Sequence, residues 1–272
     1  MIDDQRAFQQ SYYDRHYGPR TQVVLDQLAH PLWRSFHDRL AERIVEHGVV
    51  QAGHDPGAAI RVFEAGCGEG FLGSALLRVA AQRSLTVDYR GTDLSAAALE
   101  LARPAMGDDL VPGDAVEVAA QQEPGSRDLV MMKNLLHHLD DPADLLREGA
   151  RMVGPQGRVA IVEARLGCPQ FWVFSGLAPR RERYFFKGAK RNEAAIRDAG
   201  LRIVHREIYS WLPYELFLHI RFGTFRRLLS SDDPGFIGRI SGVDDRLTRA
   251  IPWFASYQVY IAAPVDAGAA AG

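Results

Sequence analysis

The chain has 272 residues, a formal net charge of −2, and 32 basic residues against 34 acidic ones. This balance argues against nucleic acid as a partner, because phosphate binding usually requires a basic excess. The composition, 47% hydrophobic and 24% charged, is that of an ordinary soluble domain. The uncharged run 166–179 is too short to span a bilayer, and the polar N-terminus lacks a signal sequence. We therefore expect a cytoplasmic protein without a transmembrane segment.

The first predicted element is a long helix over residues 22 to about 48. Its apolar residues Leu32, Phe36, Leu40 and Ile44 recur every four positions, with charged residues between them. We interpret residues 1–50 as an N-terminal helical cap and residues 51–264 as the main domain.

Strands and helices then alternate along the chain. The predicted strands are 60–64, 85–91, 110–112, 128–132 and 157–163, and the predicted helices are 71–81, 95–103 and 142–152. Ser95 is a plausible N-cap for the second of these helices. This alternation predicts an α/β, Rossmann-like, doubly wound and mostly parallel sheet.

The rhythm changes after residue 163. A helix at 192–199 and a strand at 201–211 are predicted between two aromatic insertions, 166–186 and 212–255, and a last strand at 256–263 follows the second insertion. We expect these insertions to form a helical, aromatic lid over a substrate. Residues 265–272 form a tail that we expect to be disordered.

Clustered glycines between the first strand and the next helix indicate a ligand-binding corner. Glycine lets the backbone approach a ligand closely, and a helix N-terminus attracts anions. Two registers compete: residues 68–73 fit the dinucleotide pattern G-x-G-x-x-G, and residues 66–70 fit G-x-G-x-G. A dinucleotide loop would start directly after the strand, whereas Gly68 lies beyond Glu64 by several residues. Glu64 itself suits a cationic ligand better than a pyrophosphate.

Five segments in order resemble the motifs of the class I, S-adenosylmethionine-dependent methyltransferases. They are residues 62–70 (VFEAGCGEG), 91–95 (GTDLS), 113–115 (GDA), 134–139 (NLLHHL) and 154–158 (GPQGR). Gln156 stands where the family often has glycine, a departure that affects only a turn. The resemblance implies a seven-stranded sheet with an antiparallel C-terminal strand.

The resemblance also implies the cofactor site, with S-adenosylmethionine as cofactor and S-adenosylhomocysteine as product. The implied cofactor residues are Glu64, Gly66, Cys67, Gly68, Gly70, Asp93, Leu94, Asp114, Ala115, Asn134, Leu135 and Tyr17. Asp93 would accept from the ribose hydroxyls, and Asp114 would hold the adenine amino group. The structural alternatives are that Asp93 caps a helix and that Asp114 is a turn residue.

Two adjacent histidines are candidates for a general base. A base is needed only if the acceptor is protonated, as a phenol or an alcohol is, and an imidazole suits that transfer. His137 and His138 follow the fourth strand, although they could equally begin a helix that packs on the sheet. Adjacent residues do not converge on one ion, and Cys67 and Cys168 lie far apart, so no metal site is expected.

The remaining predictions concern the substrate. Tyr12, Tyr13 and Tyr17 could close over the cofactor or simply pack the first helix, and the aromatic insertions suit a small apolar or aromatic acceptor. The interleaved arginines could clamp an anionic group or form a solvated face. We expect O-methylation of a small molecule. The alternatives are N- or C-methylation, an NAD-type oxidoreductase and a non-catalytic partner subunit, and a homodimer is one option for assembly.

Overall fold

The computed structural model describes residues 28–165, 188–210 and 231–265. Its strands are β1 Ile60–Ala65, β2 Val87–Asp93, β3 Leu110–Pro112, β4 Arg127–Lys133, β5 Val153–Ala164, β6 Leu201–Tyr209 and β7 Tyr257–Pro264. Its α-helices are α1 Pro31–Val45, α2 Phe71–Gln82, α3 Ala96–Met106, α4 Ala115–Ala120, α5 Pro142–Met152, α6 Ala189–Asp198 and α7 Pro234–Ala250. A π-helical turn, Glu46–Val50, follows α1, and the 3₁₀ turns Leu136–His138 and Pro252–Phe254 follow β4 and α7.

The strands form one seven-stranded sheet in the order β3-β2-β1-β4-β5-β7-β6. Neighbours from β3 to β5 are parallel, whereas β7 runs antiparallel to both β5 and β6. The predicted α/β sheet with an antiparallel C-terminal strand is therefore confirmed. The strand order reverses between β1 and β4, and open α/β sheets bind ligands at the carboxyl ends of the strands beside such a point.

Each face of the sheet carries its own hydrophobic core. Because side chains alternate along a strand, Val62 and Met131 point to one face and Phe63 and Met132 to the other. Helices α1, α2 and α3 cover the first face, and α4, α5 and α6 cover the second. Both faces of the central strands are thus buried, which explains their nearly continuous apolar sequences.

The predicted first helix is interrupted at His30, since Leu28 and Ala29 just before it are helical. Proline favours the first turn of a helix, and α1 starts at Pro31 with His30 in an extended conformation at its N-cap. The prediction of one uninterrupted helix from residue 22 is therefore wrong at His30, and residues 22–27 lie outside the described part. Trp33 to Val49 contribute to the first core, so α1 packs as part of the same body as the sheet. The division into 1–50 and 51–264 stays a prediction.

Strand β5 is longer than predicted. Val153 pairs with Arg127, and the register then shifts so that Arg158 pairs with Leu129. The predicted turn at 154–157 is thus an irregularity within β5, since the chain returns to the same neighbour after it.

The second predicted insertion contains α7, which packs on α1. Asp244 is 3% exposed and accepts a hydrogen bond of 3.0 Å from Arg39 of α1. Its carboxylate also accepts from Ser210 Oγ at the end of β6, 3.1 Å away. Residues 166–187 and 211–230 lie outside the described part, so the expected lid stays a prediction.

Candidate functional site

The glycine loop after β1 is held in its shape by the neighbouring strand. Gly66, Gly68 and Gly70 have φ angles of 65°, 52° and 80°, a region that favours glycine. The Cys67 amide donates to the Thr92 carbonyl of β2 at 2.9 Å, and Gly70 is the N-cap of α2. The loop therefore turns directly from the carboxyl end of β1 into the start of a helix.

Each loop glycine meets different surroundings. A Cβ on Gly66 would come within 2.9 Å of Leu135, and one on Gly70 within 2.2 Å of the Met106 sulfur. A Cβ on Gly68 would meet no atom of the described residues within 4 Å. Gly66 and Gly70 are thus required by packing, whereas the described residues leave space beside the Gly68 backbone that a ligand could enter.

Asp93 ends β2 and faces this loop. Its Oδ2 accepts from the Gly68 amide at 2.9 Å, and its Oδ1 accepts from the Ser95 amide at 2.9 Å. Burial raises the pKa of Asp93, and the amides of Ser95, Gly68 and Leu94 oppose that rise. Because a carboxylate oxygen has two lone pairs, each oxygen can still accept from a hydroxyl. Ser95 caps α3, since its side chain accepts from Ala98, so the prediction of that cap is confirmed.

Glu64 is the penultimate residue of β1, and its carboxyl group is buried against Tyr89. The Tyr89 hydroxyl donates to Oε2 of Glu64 at 2.5 Å. Burial raises the pKa of Glu64 to about 8, opposed by the Tyr89 hydrogen bond and by the charge of Lys133. Sequence reasoning selected Glu64 but missed Tyr89, although a polar aromatic residue in a strand beside that acid was a usable signal. Burial also raises the pKa of the Cys67 thiol, which makes this side chain unreactive at neutral pH.

Asp114 follows β3 and caps a helix. Its Oδ1 accepts from the amides of Val116 and Glu117 at 2.9 and 3.2 Å, at the start of α4. The alternative interpretation of Asp114 was a turn residue, and the structure shows it as the N-cap of α4. The Gly113 amide donates to the Asp93 carbonyl at 3.0 Å, so the loops after β2 and β3 are joined. The adenine role of Asp114 and Ala115 stays a prediction.

The segment after β4 lies against the glycine loop. Asn134 has a φ of 54°, which is strained for a residue with a side chain, and its amide donates to Val162 at 2.8 Å. Among the described residues, the Asn134 side-chain oxygen is buried without a hydrogen-bond partner. Leu135 packs on Gly66. A strained residue with an orphaned oxygen beside an open loop fits a ligand that supplies the missing donor.

Glu163 organises this segment from the neighbouring strand. It lies near the end of β5, is 2% exposed, and accepts at Oε1 from the amides of Leu135 and Leu136 at 2.9 and 2.7 Å. Its Oε2 lies 2.8 Å from Nδ1 of His137. Sequence reasoning treated Glu163 only as the end of a strand, so this residue was missed.

The two candidate bases have different environments. His137 is buried and bonded to Glu163, and its ring centroid lies 4.1 Å from that of His138. Burial and the neighbouring His137 hold the pKa of His138 well below its usual range. The two rings are therefore not equivalent as proton acceptors.

An aromatic cluster flanks the same edge of the sheet. The described rings that contact each other there belong to Trp33, Phe36, His37, Phe71, Tyr209 and Tyr257. The Lys133 ammonium, at the end of β4, lies 5.5 Å from the centre of the Tyr257 ring. The predicted aromatic residues of 166–186, most of those of 212–255, and Tyr12, Tyr13 and Tyr17 lie outside the described residues.

The described residues contain neither a candidate metal cluster nor a membrane-spanning helix. In the ranges 28–165, 188–210 and 231–265, no group of three or more histidine, cysteine or acidic residues is arranged to hold a metal ion. Over the same ranges, no helix combines the length and apolar character that crossing a bilayer requires.

Comparison with known proteins identifies the class. Residues 63–161 match the family described as Methyltransferase domain. With the strand order and the glycine loop, this match supports a methyltransferase domain of the class I, S-adenosylmethionine-dependent type. The predicted family is confirmed, and the NAD-type oxidoreductase alternative is wrong.

Particular relatives refine this assignment. The chain is 37% identical over 108 residues to the ubiquinone biosynthesis O-methyltransferase of Ralstonia nicotianae, a match covering 38% of this chain and 43% of that protein. The match thus spans less than half of the length of that relative. The fold is similar to phosphoethanolamine N-methyltransferase 2 of Haemonchus contortus, with a TM-score of 0.54, 20% identity and coverage of 83% and 52% of the two chains. It is also similar to the [4+2]-cyclase SpnF, with a TM-score of 0.58, 19% identity and coverage of 92% and 95%.

Proposed function

We propose that the protein transfers a methyl group from S-adenosylmethionine to the oxygen of a small, apolar or aromatic acceptor. The observation that carries this proposal is the contact between Asp93 and the Gly68 amide beside open space. It places a carboxylate that can accept hydrogen bonds from two vicinal hydroxyls next to a loop whose backbone a ligand can approach.

Oxygen as the acceptor atom has narrower support. The Ralstonia relative is named as an O-methyltransferase, whereas the Haemonchus neighbour is named as an N-methyltransferase and matches at lower identity. A buried histidine bonded to a carboxylate also suits removal of a hydroxyl proton. The aromatic rings at this edge of the sheet suit an apolar or ring-containing acceptor.

The residues of this chain would bind and align the reactants. Asp93 would take the ribose hydroxyls, the Gly66–Gly70 loop would approach the methionine portion, and the orphaned oxygen of Asn134 would accept from its ammonium group. The bound cofactor supplies a methyl group on a sulfonium, which leaves as a neutral thioether. Alignment and exclusion of water then account for much of the rate enhancement.

The competing glycine register has a packing explanation. A Cβ on Gly73, the last glycine of that register, would lie 2.6 Å from the Tyr89 hydroxyl and 2.7 Å from Oε2 of Glu64. Gly73 is therefore required by the buried Glu64–Tyr89 pair, with no need for a pyrophosphate.

Calorimetric titration with S-adenosylmethionine, S-adenosylhomocysteine and NAD tests the cofactor. We expect micromolar binding of both adenosyl compounds, no binding of NAD, and at least a tenfold loss in Asp93→Ala. Asp88→Ala is the matched control, since Asp88 is an exposed carboxylate on the same strand. Equal losses in both variants, or binding of NAD alone, would refute the cofactor assignment.

Transfer of a labelled methyl group tests the acceptor class. Small phenols, catechols, aliphatic alcohols and amines are compared at one concentration, and we expect product with hydroxyl acceptors. Product with amines alone would move the proposal to N-methylation. Tight cofactor binding without transfer to any acceptor would count against a methyltransferase role, because the cyclase neighbour shows that this fold hosts other reactions.

A further inference from the structure

We propose that Glu163 is a positioning residue for proton transfer, which holds His137 in the tautomer that presents Nε2 to the acceptor hydroxyl. This inference rests on the proposed function and deepens it. It chooses between the two histidines and adds a residue that no motif of the sequence had indicated.

The carboxylate of Glu163 is fixed by its hydrogen bonds. Its Oε1 accepts from two successive backbone amides, those of Leu135 and Leu136, so the carboxylate cannot rotate without losing both. Its Oε2 is thereby aimed at Nδ1 of His137, 2.8 Å away. The side chain is 2% exposed, so water does not compete for these bonds.

This geometry determines the tautomer of His137. An ionised carboxylate only accepts hydrogen bonds, so Nδ1 must carry the proton that lies between the two groups. In neutral imidazole, the lone pair is then on Nε2. The arrangement matches a general rule for catalytic histidines, in which a buried carboxylate orients the ring and stabilises the cation that forms.

His138 is the weaker candidate for three reasons. The hydrogen bond of Glu163 goes to His137, and a positive charge on His138 would lie beside a second imidazole whose ring centroid is 4.1 Å away. Burial also lowers the pKa of His138, so this ring resists protonation.

The segment that carries His137 lies beside the cofactor loop. A Cβ on Gly66 would lie 2.9 Å from the Leu135 side chain, and His137 lies in the 3₁₀ turn that Leu135 precedes as its N-cap. In the proposed step, the acceptor oxygen forms a bond to the methyl carbon and its proton passes to Nε2 of His137. The carbon–sulfur bond breaks with its electron pair left on sulfur, and the imidazolium later returns its proton to water.

The primary test is the tautomer of His137, measured by NMR of the ¹⁵N-histidine-labelled protein with S-adenosylhomocysteine bound. We expect the Nδ1–H form in the wild type. In Glu163→Gln, the amide oxygen keeps the two backbone amides and its NH₂ group faces Nδ1, so the Nε2–H form should appear. Glu207→Gln, at a half-buried glutamate of β6 paired with Arg43, is the control and should leave the His137 signals unchanged.

The kinetic test uses methyl transfer to catechol as the probe. We expect Glu163→Gln to lower kcat by about 10² to 10⁴ while the Kd for S-adenosylmethionine changes less than about threefold. His137→Asn keeps an N–H donor for Glu163, and we expect it to lower kcat as much as Glu163→Gln does. His138→Asn should lower kcat by less than about fivefold. This pair keeps the inference testable if Glu163→Gln fails to fold.

Several results would overturn the inference. The Nε2–H tautomer in the wild type would do so, as would an unchanged tautomer in Glu163→Gln. Equal losses in the two histidine variants would also do so. Failure of the proposed function is distinguishable, because it would appear as a wild-type protein that binds no adenosyl compound in calorimetry, whatever the His137 tautomer.

Discussion

The Tyr89 hydroxyl donates a hydrogen bond of 2.5 Å to Oε2 of Glu64, joining two buried side chains from adjacent parallel strands. The pair lies under the first turn of α2, where Gly73 leaves room for it. A carboxyl group is thus placed inside the core without an adjacent basic side chain in hydrogen-bond contact among the described residues. Burial favours the protonated form of this carboxyl group, and the Tyr89 hydrogen bond and the charge of Lys133 oppose that effect.

Removing the tyrosine hydroxyl should destabilise the protein. Tyr89→Phe leaves a buried acceptor with one fewer donor, and we expect the free energy of unfolding to fall by about 1 to 3 kcal/mol in urea denaturation. Glu64→Gln and the double variant complete a double-mutant cycle, in which a coupling energy above about 0.5 kcal/mol is expected. Strictly additive losses would show that the two groups do not interact.

The same carboxyl group predicts a pH dependence. Burial raises the pKa of Glu64 from its ordinary 4.5 to about 8, so the folded protein binds one more proton than the unfolded chain between these values. The stabilisation from this group is therefore complete below pH 4.5 and is lost as the pH rises through 8. We expect Glu64→Gln to reduce this pH-dependent loss of the free energy of unfolding by a few kcal/mol, since one pKa unit corresponds to about 1.4 kcal/mol. Urea titrations at several pH values measure the slope, and Glu42→Gln, at an exposed site on α1, is the control.

A methyl group added at Gly73 should be destabilising. Alanine normally stabilises a helix by about 1 kcal/mol relative to glycine, but here its Cβ would lie within 2.7 Å of both Tyr89 and Glu64. We expect Gly73→Ala to lower the free energy of unfolding by about 1 to 3 kcal/mol. Gly242→Ala in α7, where a Cβ meets no atom of the described residues within 4 Å, should be neutral or stabilising. The same sign for both variants would contradict the packing argument.

The attachment of α7 to α1 should depend on one aspartate. Asp244 is buried and bonded to Arg39 and Ser210, whereas the side chain of its neighbour Asp245 is 34% exposed and also contacts Arg39. We expect Asp244→Asn to cost about 1 to 3 kcal/mol and to speed proteolysis within α7. Asp245→Asn should cost less than about 1 kcal/mol, because exposed ion pairs contribute little. Equal losses of stability in the two variants would mean that other contacts hold α7 against α1.

The sequence predicted the site best where its residues are close together in the chain. The glycines of 66–70 and the acid at the end of β2 follow directly from strands with clear patterns, and the structure brings Gly68 and Asp93 into contact. Glu163 could not be found in this way, because its partners precede it by 26 to 28 positions and lie in the segment that follows another strand. The side-chain pairing of Tyr89 with Glu64 likewise depends on the register of two strands.

The fold was predictable to a similar extent. Alternating patterns predicted the parallel strands and their helices, whereas the antiparallel placement of β7 came only from the resemblance to a family. The break at His30 was missed, because Leu28 and Ala29 are helical as predicted and Pro31 starts a new helix after the extended His30. The irregularity in β5 arises from pairing with β4, which no local pattern encodes.

The position of β7 between β5 and β6 has a consequence for folding during synthesis. Among the described strands, β6 pairs with β7 alone, yet β7 is made about 50 residues later. When β6 leaves the ribosome, β7 has not yet been synthesised. The edges of β5 and β6 that will pair with β7 therefore stay unpaired while α7 is being synthesised. When β7 emerges, it pairs with β5 on one side and with β6 on the other. Until then, the two unpaired strand edges are open to incorrect pairing.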